Sequence, residues 1–203
     1  MKLPRLLPVI AAALIGTMAG PALAQAAPEQ AAPAAEEPEI PSAEFIIANL
    51  DTISPVNLIH VVDQYWSRGD RLQAAFWFYI WQIRTMPWAE LDPQIAPIRA
   101  QMDSQAGAII NGWIASDTDL LLDTMKRAIS YEPKLPLVDA RPEGLPSAFW
   151  LEKVQTSRDL FSAEVTTTLT PEFFATINTA RQEQGAPVGP LTDIGTPLPA
   201  EWR

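Results

Sequence analysis

Residues 74–81 read AAFWFYIW, eight apolar or aromatic side chains in a row. As a helix this run covers more than two turns without a polar face, so it must be enclosed on most sides, at the centre of a core. As a strand it would suit a sheet buried on both faces, since aromatics favour strands. The flanks decide for a helix. Gly69-Asp70 precedes the run as a stop and a cap, and the polar Gln73, Gln82 and Arg84 flank it. The pattern predicts a helix from Arg71 to about Thr85, ended by Met86-Pro87-Trp88.

The surrounding segments follow the same period. Ser54-Pro55 reads as N-cap and first helical residue, and Leu58, Val61, Val62 and Tyr65 form a stripe flanked by Trp66. Asp92-Pro93 predicts a further start, tightened by Pro97, with Met102, Ala106, Ile109, Ile110 and Trp113 as its inner stripe and Asn111-Gly112 as an interruption. Ser116-Asp117 caps a helix bearing Leu121, Leu122, Met125, Ala128 and Ile129, and Glu132-Pro133 ends it. After a proline-rich link over 133–147, a helix is expected from Ser147 to about Ala163. A Thr-rich join follows, then a Thr170-Pro171 start that runs to Gln184. Strand alternation is missing, so the fold class is all-α: an irregular bundle of about five or six helices beginning with an αα-hairpin.

Both ends differ in character. Lys2 and Arg5 precede an apolar run from Leu6 to Met18, and Ala22-Leu23-Ala24 places small residues where a signal peptidase reads them. The run is short of the ~18 residues that span a bilayer, which favours a cleaved signal peptide over 1–24 against a retained anchor. The expected location is the periplasm of a Gram-negative-type envelope, with no transmembrane anchor after cleavage. Residues 25–44 are almost wholly Ala, Pro, Glu and Gln and predict a disordered spacer, either a tether or a solubilising leader. The helical domain is expected over 45–184, and 185–203 reads as an irregular C-terminal tail.

Cleavage after Ala24 removes two of the 14 basic residues and leaves the 24 acidic ones, lowering a formal charge of −10 to −12. Such a chain repels phosphate backbones, which argues against nucleic acid as a partner. A cationic protein would be attracted instead. There is no cysteine, so thiol catalysis and cysteine-ligated zinc are excluded, and the seven Trp and seven Phe must supply a core without disulfides.

Residues 58–87 resemble one unit of a tetratricopeptide or Sel1-like helical repeat. Tyr65, the Gly69-Asp70 turn, Ala74 and Phe78 follow that family's order of aromatic, turn, small and aromatic residues. The resemblance implies that Tyr65 fills the groove between the helices, Ala74 lets them approach, and Phe78 packs towards the next unit. Val62 and Trp81 stand where small residues are usual, and Pro87 comes one residue late. No second copy follows, although repeat folds need about three. The resemblance implies a scaffold for peptides or proteins; a generic αα-hairpin would show the same residues.

Few residues suggest chemistry. His60, the single histidine, shares a helix face with Asp63, but two groups do not make a metal site, and a helix histidine bonded to a neighbour accounts for it. No Gly-x-Ser-x-Gly elbow or glycine-rich phosphate loop is present. Glu90, Asp92, Asp63 and Asp103 could serve a glycosidase only from a dry cleft, and Asp70, Asp92 and Asp117 are explained as helix caps. Trp77 and Trp81 read as core. Trp88, Glu90 and Trp66 are the candidate partner-binding residues. The expectation is a non-enzymatic protein that binds a protein or peptide partner, one version of which is an immunity or inhibitor protein, without catalytic, cofactor or metal residues. The competing expectation is a cell-wall hydrolase, or an accessory protein that holds peptidoglycan through acidic and Trp residues.

Overall fold

The computed structural model describes residues 40–137 and 141–202. The predicted signal peptide and residues 25–39 of the predicted spacer lie outside them. The fold is all-α: among the described residues there are seven α-helices and no strand. They are α1 (Ala43–Ala48), α2 (Leu58–Ser67), α3 (Arg71–Leu91), α4 (Ile95–Ile114), α5 (Thr118–Tyr131), α6 (Ser147–Thr168) and α7 (Pro171–Glu183), with 3-10 turns at Pro55–Asn57 and Glu132–Lys134. No helix among these is long and apolar enough to cross a membrane.

The eight-residue apolar run behaves as its composition demands. Every side chain from Ala74 to Trp81 is fully buried. Helix α3 packs against α2, α4, α5 and α6, so these four helices form a sleeve around it. Gly69 takes φ +85° at the α2–α3 turn, a conformation that costs glycine nothing. Leu58, Val61 and Val62 face α3 as the stripe predicts, while Tyr65 and Trp66 are half-buried.

The fold differs from expectation in several places. Helix α3 does not break at Met86-Pro87-Trp88 but runs through Pro87 to Leu91. A proline inside a helix costs about 3 kcal/mol. Burial of Pro87 and the packing of Trp88 and Leu91 on Leu137, Trp150 and Val154 offset that cost. The carbonyl that loses its helical donor is Ile83 O; the nearby side-chain bonds, Thr85 Oγ1 to Trp81 O (2.7 Å) and Arg99 to Gln82 O (3.3 Å), go to other carbonyls of that turn.

Helix α4 is likewise unbroken at Asn111-Gly112, and its inner face is offset from the apolar stripe. Ile109 is 56% exposed, whereas Asp103, Gly107, Ile110, Asn111 and Ile114 are buried. The polar members of that face answer polar groups on α3. Asp103 accepts from Gln82 Nε2 (2.7 Å) and Asn111 Oδ1 accepts from the Tyr79 hydroxyl (3.0 Å). Between them, a Cβ on Gly107 would lie 3.3 Å from Phe78 Cζ, so the missing side chain makes room for that ring. Burial pushes the Tyr79 hydroxyl pKa well above its ordinary value, which keeps it a neutral donor.

The predicted Thr-rich join is helical too, carried by the buried Phe161 and Val165, with the Thr166 and Thr167 hydroxyls turned back on Ser162 O and Ala163 O (2.9 Å each); the chain turns only at Leu169. The capping expectations divide. Asp117 and Thr170 accept from the amides of Leu120 and Phe173. Ser54 makes no such bond, Asp92 accepts from Gln94 N beyond the end of α3, and Asp70 bonds elsewhere, as described below.

A short helix, α1, precedes the hairpin and holds the last residues of the predicted spacer. Gln64 accepts from Ala43 N (2.8 Å) and donates to Pro41 O (2.9 Å), and Arg68 pairs with Glu44 (2.7 Å). Residues 41–44 therefore belong to the folded domain.

Candidate functional site

The buried charged side chains are tied into the bundle, whereas the indole N–H groups of Trp77, Trp81, Trp88 and Trp150 are buried without a protein partner. The tightest cluster joins three elements: Arg84 of α3 and Arg158 of α6 both reach Glu132, in the turn after α5. Arg84 Nε donates to Glu132 Oε1 at 3.1 Å, while Arg158 spans both carboxylate oxygens at 2.5 and 3.2 Å. Arg84 also donates to Pro136 O (2.9 Å). This triad fixes the start of the proline-rich link. Glu132-Pro133 had signalled only a helix stop, and no local pattern points to partners 26 and 48 residues away.

The sequence candidates for acid chemistry are dispersed. Asp103 is committed to Gln82, Asp92 to the Gln94 amide, and Asp63 is exposed. His60 is half-buried on α2, and no group of three or more His, Asp or Glu among the described residues is placed to hold a metal ion. Glu90 is exposed and pairs with Lys153, a solvated setting rather than the dry cleft a general acid requires.

The three candidate partner-binding residues fall on two clusters. Trp66 packs against the main core, with its ring edge-on to Trp113 (5.7 Å, 87°) and the Arg71 guanidinium over its face (5.4 Å). Trp88 belongs to the smaller cluster of Leu91, Leu137, Trp150 and Val154, edge-on to Trp150 (5.9 Å, 81°). Glu90 joins this second cluster through Lys153, whose ammonium lies 5.7 Å from the Phe149 ring centroid.

Where the end of α3 meets the first turns of α6, Glu90, Lys153 and Phe149 line one flank of the second cluster, and Leu151 lies on the other side of Trp150. Trp150 is buried, Trp88 is half-buried, and Phe149 and Leu151 are 40% and 50% exposed. The continuation of α3 past Pro87 brings Trp88 and Glu90 to α6. Sequence reasoning missed Phe149 and Leu151, which lie beside the core position Trp150 in a helix of weak amphipathicity.

No family model, no curated protein and no solved structure matches the chain.

Proposed function

We propose that this protein is an exported, non-enzymatic interaction protein whose partner, a protein or peptide, docks on the face formed by Trp88, Glu90, Phe149 and Lys153. The observation that carries the reading is Phe149, held two-fifths exposed beside the Glu90–Lys153 pair and the enclosed Trp88–Trp150 pair. Aromatic side chains at the centre and charged groups at the margin are the usual anatomy of a protein-binding patch. The acidic balance favours a cationic partner, as an immunity or inhibitor protein would have. The hairpin of α2 and α3 supports kinship with helical-repeat scaffolds through its Gly69 turn, the enclosed Ala74, and Phe78 set against Gly107 of the next helix.

The test is photo-crosslinking in the producing cell, with a photoreactive side chain at the exposed position 152, one turn from Phe149, and, as a control, at Thr176 on α7. A discrete protein adduct is expected from 152 and not from 176. Phe149→Ser should abolish it without changing the melting temperature, because that ring is already exposed. Equal adducts from both positions, or an adduct unaffected by Phe149→Ser, would refute the assignment.

A further inference from the structure

The segment after α7 has no regular secondary structure, as its prolines and glycines predict, yet it lies along the bundle like a bound peptide. Its contacts follow in chain order. Gly189 N donates to Ser116 O (2.7 Å), Leu191 N to Asp117 Oδ2 (3.2 Å) and Thr196 N to Asp70 Oδ1 (2.9 Å). In the other direction Leu72 N donates to Ile194 O (3.0 Å) and Gln73 Nε2 to Pro197 O (3.3 Å). Asp193 takes the Arg71 guanidinium and the Trp113 indole N–H together. Trp202 then stacks on Phe76 (4.9 Å, 15°) and stands edge-on to Trp77 (5.4 Å, 83°).

Two features make this a receptor groove rather than a casual packing of chain end on core. Asp70 sits at the N-cap of α3 without capping it, and its carboxylate turns to the Thr196 amide; the orphan Leu72 amide in the first turn of α3 is met by Ile194 O. The start of α3 is thus completed by residues more than a hundred positions away. Gly195 lies so close to the α2–α3 turn that a Cβ there would fall 2.3 Å from Gly69 O, so backbone rests on backbone along an extended line. Main-chain bonds along the segment, one carboxylate anchor and one aromatic anchor are how extended peptides are recognised.

We propose that the groove formed by the α2–α3 turn, the start of α3 and the α4–α5 junction is a peptide-binding site, and that residues 189–202 are its displaceable occupant in cis. The ligand class is an extended peptide with proline and glycine, a carboxylate in the place of Asp193 and an aromatic ring in the place of Trp202. This groove is separate from the Trp88–Phe149 face, and neither assignment depends on the other. The segment lacks helical hydrogen bonds and its ion pair is solvent-exposed, so it opens at a lower cost than the bundle unfolds. Opening uncovers Phe76 and Trp77, and an outside peptide must compete with the tethered one, which lowers its apparent affinity by the fraction of chain open.

The experiment uses the full chain and a fluorescein-labelled synthetic peptide of residues 188–203, followed by anisotropy. Trp202→Ala in the protein weakens the cis occupant while leaving the groove intact. The variant is expected to bind the peptide at least about tenfold more tightly than the unaltered chain, since more of it is open. Peptides carrying Asp193→Asn or Trp202→Ala should lose that binding. The proposal is overturned if the folded variant does not bind, or if variant and unaltered chain bind equally. It also fails if Trp202→Ala unfolds the bundle, which would make the segment part of the core. A concentration-dependent dimer that the peptide does not compete would mean exchange of segments between copies, and overturns it as well.

Discussion

Glu132→Leu puts the buried charge cluster to the test. Arg84 and Glu132 are each 1% exposed at the side chain and Arg158 is 17% exposed. Without the carboxylate, Arg158 can turn its guanidinium to water. Arg84 cannot, and keeps a single acceptor, Pro136 O. Removing one partner of a buried ion pair costs about 3–5 kcal/mol, most of it the uncompensated charge left behind. That is a large share of the ~5–15 kcal/mol stability of a domain. The sign reverses when the second charge is also removed: Glu132→Leu with Arg84→Met should return to within about 1 kcal/mol of the unaltered protein, because an apolar replacement of similar volume has no charge to desolvate. Urea unfolding followed by tryptophan fluorescence reads both values, and an unchanged m-value confirms that the native state is the same. A loss below about 0.5 kcal/mol for Glu132→Leu, or losses that simply add in the double variant, would refute the account.

Phe78→Ala should cost about 3–5 kcal/mol, since the ring is fully buried, stacked on Trp81 (5.7 Å) and set against Gly107. Ala74→Leu, at an equally enclosed position, should cost about 1–3 kcal/mol by overpacking; if both variants melt like the parent, α3 is not the centre of the core. The Asp70 carboxyl is held below its ordinary range by its hydrogen bonds to Thr196. A depressed pKa makes its contribution complete above the unfolded value and lost only as pH falls through the lower folded one. The Thr196 amide resonance should therefore titrate with a midpoint below that of a free aspartate, and a midpoint at or above it would contradict the contact.

The sequence announced what periodicity and turn chemistry can announce. An apolar run without a polar face has to be central, Gly69 has to end a helix, and Asp117 and Thr170 have the side chains that cap one. It was silent or misleading where a local rule was overridden by contacts from far along the chain. Pro87 reads as a break until Trp88 and Leu91 are seen to pack on α6. Asn111-Gly112 reads as an interruption until Tyr79 is seen to need an acceptor. The candidate face was half legible for the same reason. Trp88 and Glu90 stood out by composition, but their neighbours Phe149 and Lys153 lie about sixty residues further on, and only the uninterrupted α3 brings the two together.

Those overrides share one cause. An unpaired buried polar group costs about 1–3 kcal/mol, and α3 carries some: the Trp77, Trp81 and Trp88 indole N–H groups and Gln82 Oε1 have no protein partner, while its other polar side chains are met. Along α3, Gln73 is met by the segment after α7, Tyr79 and Gln82 by α4, Thr85 by Arg99, and Arg84 by the turn after α5. Apolar contacts alone would let the sleeve slide or rotate around the aromatic core, because they have little direction. The polar ties do have direction, and each belongs to one pair of residues. They set the register in which α4 turns Asp103, Gly107 and Asn111 inward beside Ile110 and Ile114 and leaves Ile109 in solvent, a face rotated about one residue from the apolar stripe.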